Sequence, residues 1–533
     1  MIADNQFHLK GTDTMRNDPI NILISGEAGQ GLQTVGSLFA QCLVRSGYCV
    51  HTDQTFESRI RGGYSTFAIR TGNKRVLAPS ESFDLIFSLN EKNLKQDQKV
   101  LSPGGIQFGS DEWKSDHKHF TAVPFHEFGK KQYQNMAGLG ILAAILGMDA
   151  QQIYRALNAR FEAGIAEENI KMVKAALQWA NGQTFGIQKL PPIENPVPKW
   201  MLNCHESLAF GAVSGGIKFC AFYPMSPSTS IPQTLIPHAE ALGLVVEQVE
   251  DEICALNMAI GASYCGAPAL VATSGGGFAL MTEALSLSAA SETPVVIVVA
   301  QRPGPATGLP TRTEQGDLNL VLYSGHGEFP RAVYAPSNVE DAFHLARRAV
   351  ETAEKYQIPA IVLTDHYLSG SYQDMTPLDV GTLSFVQPGA PPVEVPSPYL
   401  RYRLTETGIS PRLLPGLSEH LVIGDSHEHT EDGHITEDLT FRPRLVEKRL
   451  KKGKNLATEV IPPELSGDKN PEILLISWGS TRGAVLEAAE RLRANGASVG
   501  CLHFSQVWPL NPDQFIDLMK TSVTVHRANN LLI

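Results

Sequence analysis

The sequence has no Cys-x-x-Cys pair. Its seven cysteines, Cys42, Cys49, Cys204, Cys220, Cys254, Cys265 and Cys501, are odd in number and scattered over 533 residues. Four thiolates at cluster spacing are missing, so an iron–sulfur cluster held by this chain alone is excluded, and the cysteines read as buried free thiols. No apolar run approaches the roughly 18–20 residues that cross a bilayer. The most obvious one, over 295–300, has the length of a buried strand. A basic stretch followed by an apolar one is lacking at the N-terminus, so no secretory signal is expected and the reading is a cytoplasmic chain without membrane contact. A strong charge of one sign is lacking too. A net charge of −11 over this length argues against bulk attraction to nucleic acid or anionic lipid, and anionic ligands must be met by local basic sites. Neither an internal repeat nor a low-complexity tract stands out.

What remains is an ordinary globular composition, 43% hydrophobic and 19% charged, on a chain too long for one core. Proline-rich stretches at 189–200 and 387–398 divide it as linkers do. The expected organisation is a domain over 1–190, a second over 200–386, a linker and extended connection over 387–470, and a last domain over 471–533. Strand and helix patterns alternate. A strand at 21–25, a glycine turn, a helix from Leu32 to Leu43 and a strand at 49–52 predict a βαβ opening. In the middle segment strands are expected at 244–248, 270–273, 295–300 and 360–364, and helices at 252–264 and 278–290. Ser337 and Glu340 read as a capping box. Strands at 473–477 and 498–504 flank a helix over 484–494 that stops at Gly496. The fold class is α/β, with parallel, doubly wound sheets.

Several loops could carry chemistry. Gly26, Gly29 and Gly31 lie between a strand and a helix, where backbone amides favour an anion. The spacing is not G-x-G-x-x-G, yet Asp53 follows at close to the roughly 20-residue interval of a ribose-binding acid, which keeps a nicotinamide site open beside a plain tight turn. Arg59 and Arg61, next to Gly62 and Gly63, form a chemically reasonable clamp for phosphate or carboxylate groups, although such charges commonly just face solvent. In the middle segment Ser226 sits in a proline-stiffened loop able to aim a hydroxyl at a small substrate. Glu252 opens a helix of apolar and small residues, either as a partner of the helix dipole or as a carboxylate beside a ligand. Thr273, Ser274 and Gly275 follow a strand end, where open α/β sheets bind ligands. Arg302, Thr307 and Arg312 follow the next strand end. Asp425, His427, His429, Glu431, Asp432 and His434 look like metal ligands by composition, but the spacing puts no three on one element, so a solvated loop is expected and no metal site is assigned.

Taken in order, these motifs resemble the 2-oxoacid:ferredoxin oxidoreductases, in the form whose γ domain is fused ahead of the α subunit. GEAGQG at 26–31 and the ESRIRGGYS stretch at 57–65 look like the γ domain. YPMSPS at 223–228, EDEI at 250–253, TSGGGF at 273–278 and RPGPATGLPT at 302–311 look like the α subunit. The resemblance implies a Rossmann-like γ domain, a pyrimidine-binding domain for thiamine diphosphate and a transketolase C-terminal-like domain. It implies oxidative decarboxylation of a 2-oxoacid to an acyl-coenzyme A, with electrons passed to ferredoxin. Glu252 would bond N1′ of the aminopyrimidine, favouring the tautomer that removes the proton from thiazolium C2. Ser226, where the family usually has threonine, and Arg302 would meet the substrate's keto and carboxylate groups, with Thr307 and Arg312 nearby. Thr273, Ser274 and Gly275 would contact the cofactor, and Gly26, Gly29, Gly31, Arg59, Arg61 and Gly62 would receive coenzyme A.

A further absence now has a meaning. Thiamine enzymes hold diphosphate through magnesium with G-D-G and a later asparagine, and this chain has no such pair. By the resemblance, a β subunit carries the diphosphate, Mg2+ and the iron–sulfur cluster, so the active site forms between chains. The resemblance also implies several tens of residues beyond the strand near 523–526, whereas the sequence ends at Ile533. That leaves open a non-catalytic scaffold or regulatory subunit, alongside the nicotinamide alternative. Substrate choice leans toward 2-oxoglutarate, whose distal carboxylate needs a further cation such as Arg312.

Overall fold

The computed structural model describes residues 19–57, 62–389, 395, 397–522 and 524–527. Among them no helix is long and apolar enough to cross a membrane. The first sheet begins with β1 (Ile20–Ala28), β2 (Cys49–Thr55), β3 (Gly62–Gly72), β4 (Phe83–Ser88), β5 (Leu101–Ser110) and β6 (Phe120–Val123), laid out as β6-β5-β4-β1-β3-β2. The helix Leu32–Arg45 connects β1 to β2, as a βαβ opening requires, but β3 runs antiparallel between the two strands. Ala68 of β3 faces Leu23 on one side and Asp53 on the other. Asp53 therefore lies inside a strand and one strand removed from β1, and burial raises its carboxyl above the ordinary range. The nicotinamide alternative loses its ribose-binding acid.

The second sheet holds β7's successors in the middle segment, after the short β7 (Trp200–Asn203): β8 (Phe219–Phe222), β9 (Val245–Gln248), β10 (Ala269–Thr273), β11 (Val295–Gln301), β12 (Ala332–Tyr334) and β13 (Pro359–Asp365). These six run parallel in the order β12-β13-β11-β10-β8-β9. β10, β11 and β13 are buried along their whole length, which matches their near-continuous apolar sequences and a sheet covered on both faces. On one face the helices Cys204–Gly215 and Val339–Tyr356 touch backbone to backbone. A methyl group at Gly211 would meet the Phe343 carbonyl oxygen at 2.2 Å. The capping box expected from Ser337 and Glu340 is replaced by another arrangement. Asn338 caps the helix by accepting from the Asp341 N–H, and the Ser337 hydroxyl donates to the Asp341 carboxylate. The helix expected over 278–290 is two helices, Gly275–Leu280 and Thr282–Ala290, broken at Met281.

The segments interlock. β14 (Tyr372–Met375) and β7 extend the first sheet beyond β2, where Lys199 and the Val50 N–H share the Asp374 carboxylate at 2.8 and 2.7 Å. The third sheet, β15 (Glu464–Gly467), β16 (Ile473–Trp478), β17 (Val499–Phe504) and β19 (Thr524–Arg527), is ordered β15-β17-β16-β19. β18 (Gln506–Trp508) crosses to pair antiparallel with β12. Arg70 of the first sheet binds both Glu487 oxygens at 2.8 Å.

The stretch expected as an extended connection over 387–470 contains the helix Arg442–Leu456, and that helix buries charge. Lys448 and Lys452 reach Glu292 at 2.6 and 2.5 Å, all three side chains being 1% exposed. Arg401, also buried, donates to the carbonyls of Ser291 and Glu292. Against the desolvation of its burial, Glu292 is held below the ordinary carboxylate range by Lys448, Lys452 and Arg401. Burial lowers Lys452 to about 7 despite that partner. Glu292→Gln leaves three cations without their anion and is expected to cost about 3–5 kcal/mol, read as a fall in the first thermal unfolding transition. An unchanged transition would mean that the cluster does not hold this segment down.

Candidate active site

Six parallel strands end on one edge of the second sheet, and the loops that leave them meet there. Gln301 at the end of β11 is in register with Asp365 at the end of β13, so Arg302 and His366 start side by side. Thr273 of β10 pairs with Val299, Phe222 of β8 with Ala272, and Gln248 of β9 with Phe222. The loops carrying Ser226, Thr273 to Gly275, and Arg302 to Arg312 thus leave neighbouring strands, and Glu252 follows the end of β9.

Glu252 is the first residue of the helix Glu252–Tyr264, and Asp251 caps it by accepting from the Cys254 N–H at 2.7 Å. Its own side chain turns inward, 3% exposed, with Oε1 buried and unpartnered. The space before it is kept open by glycine. A methyl group at Gly277 would stand 2.6 Å from that oxygen and 2.2 Å from the Thr273 hydroxyl. Desolvating a carboxylate oxygen without a hydrogen-bond donor is costly, and the cost is removed when a ligand supplies the donor. Of the other residues expected at the cofactor, Ser274 directs its hydroxyl to the Met225 sulfur at 2.7 Å. Gly275 lies against the Asp317 carboxylate, which a methyl there would meet at 2.3 Å.

Arg302 donates to the backbone carbonyl of Ser226 at 2.6 Å, which ties the two strand-end loops together while the Ser226 residue itself is exposed. Thr307 lies exposed between Ala306 and Gly308, both with positive φ. Arg312 reaches the other way, donating to the Phe56 carbonyl at 3.1 Å beyond the end of β2. Asp317 and His366 belong to this cluster, although sequence patterns did not single them out. Burial, with Glu314 close by, raises the Asp317 carboxyl to about 6 against the pull of Arg302. A raised carboxyl is ionised at a cost in the fold, so its contribution is best at low pH and is lost as pH rises through about 6. Asp317→Asn is therefore expected to stabilise the chain by about 1–3 kcal/mol near pH 8, with the gain shrinking toward zero near pH 4. Thermal unfolding of both proteins across that range checks the sign, and a gain that grows on acidification contradicts it.

In the first sheet, Gly29, Gly31 and Gly62 have φ of 92°, 73° and 76°. Gly62 stands opposite Ala28 in the β1–β3 register, so it is brought beside the 26–31 loop. Gln30 fixes that loop by accepting from the Glu27 N–H and donating to the Leu89 carbonyl, while Asn135 donates to the Gln30 carbonyl. Gly31 leads directly into the helix Leu32–Arg45, whose first amides meet no capping side chain. Arg59 and Arg61 lie outside the described residues. The acidic and histidine-rich stretch at 425–434 folds back on itself through a His429–Ile435 bridge. Its His429 is buried on the Tyr402 ring, 3.8 Å between centroids, where a solvated loop had been expected. Among the described residues no three His, Cys, Asp or Glu side chains are placed to hold a metal ion.

Residues 210–447 match the family model described as Pyruvate flavodoxin/ferredoxin oxidoreductase, thiamine diP-bdg, and residues 21–179 match Pyruvate ferredoxin/flavodoxin oxidoreductase. The 2-oxoacid:ferredoxin oxidoreductase subunit alpha of Saccharolobus solfataricus is 31% identical, over 90% of this chain and 85% of its own length. The chain belongs to the 2-oxoacid:ferredoxin oxidoreductase alpha subunits. The 2-oxoglutarate oxidoreductase subunit KorA of Mycobacterium tuberculosis is likewise 31% identical, over 95% of this chain and 84% of that one. A 2-oxoglutarate:ferredoxin oxidoreductase from Magnetococcus marinus, solved with 2-oxoglutarate, coenzyme A and succinyl-CoA bound, superposes with a TM-score of 0.90. It is 28% identical and covers 96% of this chain and 92% of its own. Residues 466–530 match the Transketolase, C-terminal domain model. This alpha subunit is thus an oxidoreductase component of a multi-subunit complex, with a thiamine diphosphate-binding domain in its middle segment. The unpartnered Glu252 oxygen in a glycine-floored space suits a ring nitrogen of that cofactor's aminopyrimidine.

Proposed function

We propose that this alpha subunit oxidatively decarboxylates 2-oxoglutarate to its coenzyme A thioester in a cytoplasmic complex. A β subunit completes the cofactor site, holds Mg2+ and the iron–sulfur cluster, and passes electrons to ferredoxin. The observation that carries this reading is the buried, unpartnered Oε1 of Glu252. Bound thiamine diphosphate supplies the carbon nucleophile that the protein's own side chains lack. Glu252 receives a proton-bearing ring nitrogen at Oε1 and so sets the protonation of the aminopyrimidine, while Thr273 lines the same space. Arg302, held through the Ser226 carbonyl, orients the 1-carboxylate and leaves its bond to the keto carbon free to break.

The surface around this edge favours a partner. Ile253 and Met258 on the Glu252–Tyr264 helix, Leu280 on the neighbouring helix and Val245 on β9 are 49%, 38%, 54% and 54% exposed. A helix apolar on its outer face beside a half-built site is what a subunit interface covers. The 26–31 loop, with Gly62 beside it, is the proposed seat of coenzyme A, its open glycine backbone suiting a phosphate. The test is viologen reduction by the chain co-expressed with its β subunit, supplied with coenzyme A and several 2-oxoacids, with and without thiamine diphosphate. Cofactor-dependent reduction with 2-oxoglutarate supports the reading. Ligand binding by the assembled complex without turnover of any oxoacid would favour the scaffold alternative.

A further inference from the structure

His366 takes no part in the roles described so far, yet it lies in the same crevice. It directly follows β13 as Arg302 directly follows β11, and the Gln301–Asp365 register sets the two residues at neighbouring strand ends, roughly 5 Å apart in backbone. Its ring packs on Phe56, 5.7 Å between centroids, and the Phe56 carbonyl is the group that anchors Arg312. The next residue, Tyr367, donates its N–H to the Thr313 hydroxyl at 3.3 Å, which binds this turn to the Arg302–Arg312 loop. Phe56 directly follows β2 of the first sheet, so the far wall of the crevice is built by the γ-like domain.

Strand order gives the crevice a direction. Along the edge β13 is followed by β11, β10, β8 and β9, with His366 on the β13 side of the Arg302 loop and the Glu252 helix on the other side. A 2-oxoacid whose keto carbon faces the Glu252 side and whose 1-carboxylate meets Arg302 extends its tail toward β13. We infer that His366, together with Arg312 and walled by Phe56, forms the subsite that reads the distal carboxylate, and so makes the enzyme selective for dicarboxylic 2-oxoacids. This rests on the proposed oxidoreductase reading of the same site.

The charge around His366 agrees with an anionic tail. Burial, with Arg312 and Arg302 beside it, pushes the ring down to about 4, so at neutral pH it is an uncharged donor among cations. The groups facing it are Arg302 and Arg312 from one loop and His205, buried and likewise neutral, from the Cys204–Gly215 helix. Asp317 is the acidic neighbour of Arg302. An apolar tail would leave donors desolvated and unmatched in such a subsite, whereas a carboxylate satisfies them.

The test compares the assembled complex carrying wild-type chain, His366→Leu or His366→Gln, each assayed with 2-oxoglutarate and with 2-oxopentanoate, a monocarboxylate of the same chain length. The wild type is expected to prefer the dicarboxylate. His366→Leu should lower the ratio of kcat/KM for dicarboxylate over monocarboxylate by about 10- to 100-fold, with KM carrying most of the change, because a charged group loses its donor. His366→Gln keeps an N–H and should recover part of the ratio. A ratio unchanged in His366→Leu overturns the inference and leaves the oxidoreductase reading standing, whereas a wild type that prefers the monocarboxylate overturns the inference together with the choice of 2-oxoglutarate. A wild-type complex that oxidises neither acid overturns both.

Discussion

Glu252→Gln is expected to lower thiamine diphosphate-dependent turnover of the assembled complex by at least about 10²-fold, the lower end for losing an acid–base partner. The substitution keeps the shape of the side chain and removes its charge. Because the buried Oε1 is bonded to nothing in the protein, folding has little to lose, and the thermal transition should stay where it is or rise slightly. A structural carboxylate behaves oppositely: it destabilises on replacement, as expected for Glu292 with its two lysines. Turnover and melting measured on the same preparations separate the two cases. Wild-type turnover by Glu252→Gln would remove the proposed role.

Gly277→Ala is expected to match that loss by a different route. The added methyl group would stand 2.2 Å from the Thr273 hydroxyl, 2.6 Å from Glu252 Oε1 and 2.8 Å from Glu252 Cγ, so the carboxylate must move. A displacement of about 1 Å at a reacting centre can cost on the order of 10²-fold in rate. Overpacking in this short buried helix adds about 1–3 kcal/mol of destabilisation, which Glu252→Gln does not share. Activity near wild type in Gly277→Ala would show that the cofactor does not need the space between Glu252 and Thr273. Gly276, one residue earlier, is the matched control, since its nearest neighbour to an added methyl is 3.7 Å away.

The middle sheet was legible because its strands are apolar runs bounded by small and proline-rich turns, and parallel strands covered on both faces leave that signature. The helix Glu252–Tyr264 was placed with its bounds because Asp251 caps it and its small residues keep helical spacing. What the sequence concealed was long-range. β3 enters between β1 and β2 from the far side of a glycine-rich stretch, and no local periodicity distinguishes that from a simple βαβ unit. The Arg442–Leu456 helix falls in the stretch read as a linker and extended connection, since the partner that buries Lys448 and Lys452 is Glu292, far away in the chain. His366 did carry a signal: it occupies the first position after a buried strand, as Arg302 does, but without a register between β11 and β13 the two could not be set together. Asp317 carried no such signal, because its contact with Gly275 depends on how two strand-end loops fold over one another.

The exchange rate of the thiazolium C2 proton of thiamine diphosphate bound to the assembled complex, followed in deuterated solvent, reports directly on what residue 252 does to its ligand. The account predicts exchange about 10²-fold slower in Glu252→Gln than in the wild type at equal cofactor occupancy. Equal rates in the two proteins would contradict it.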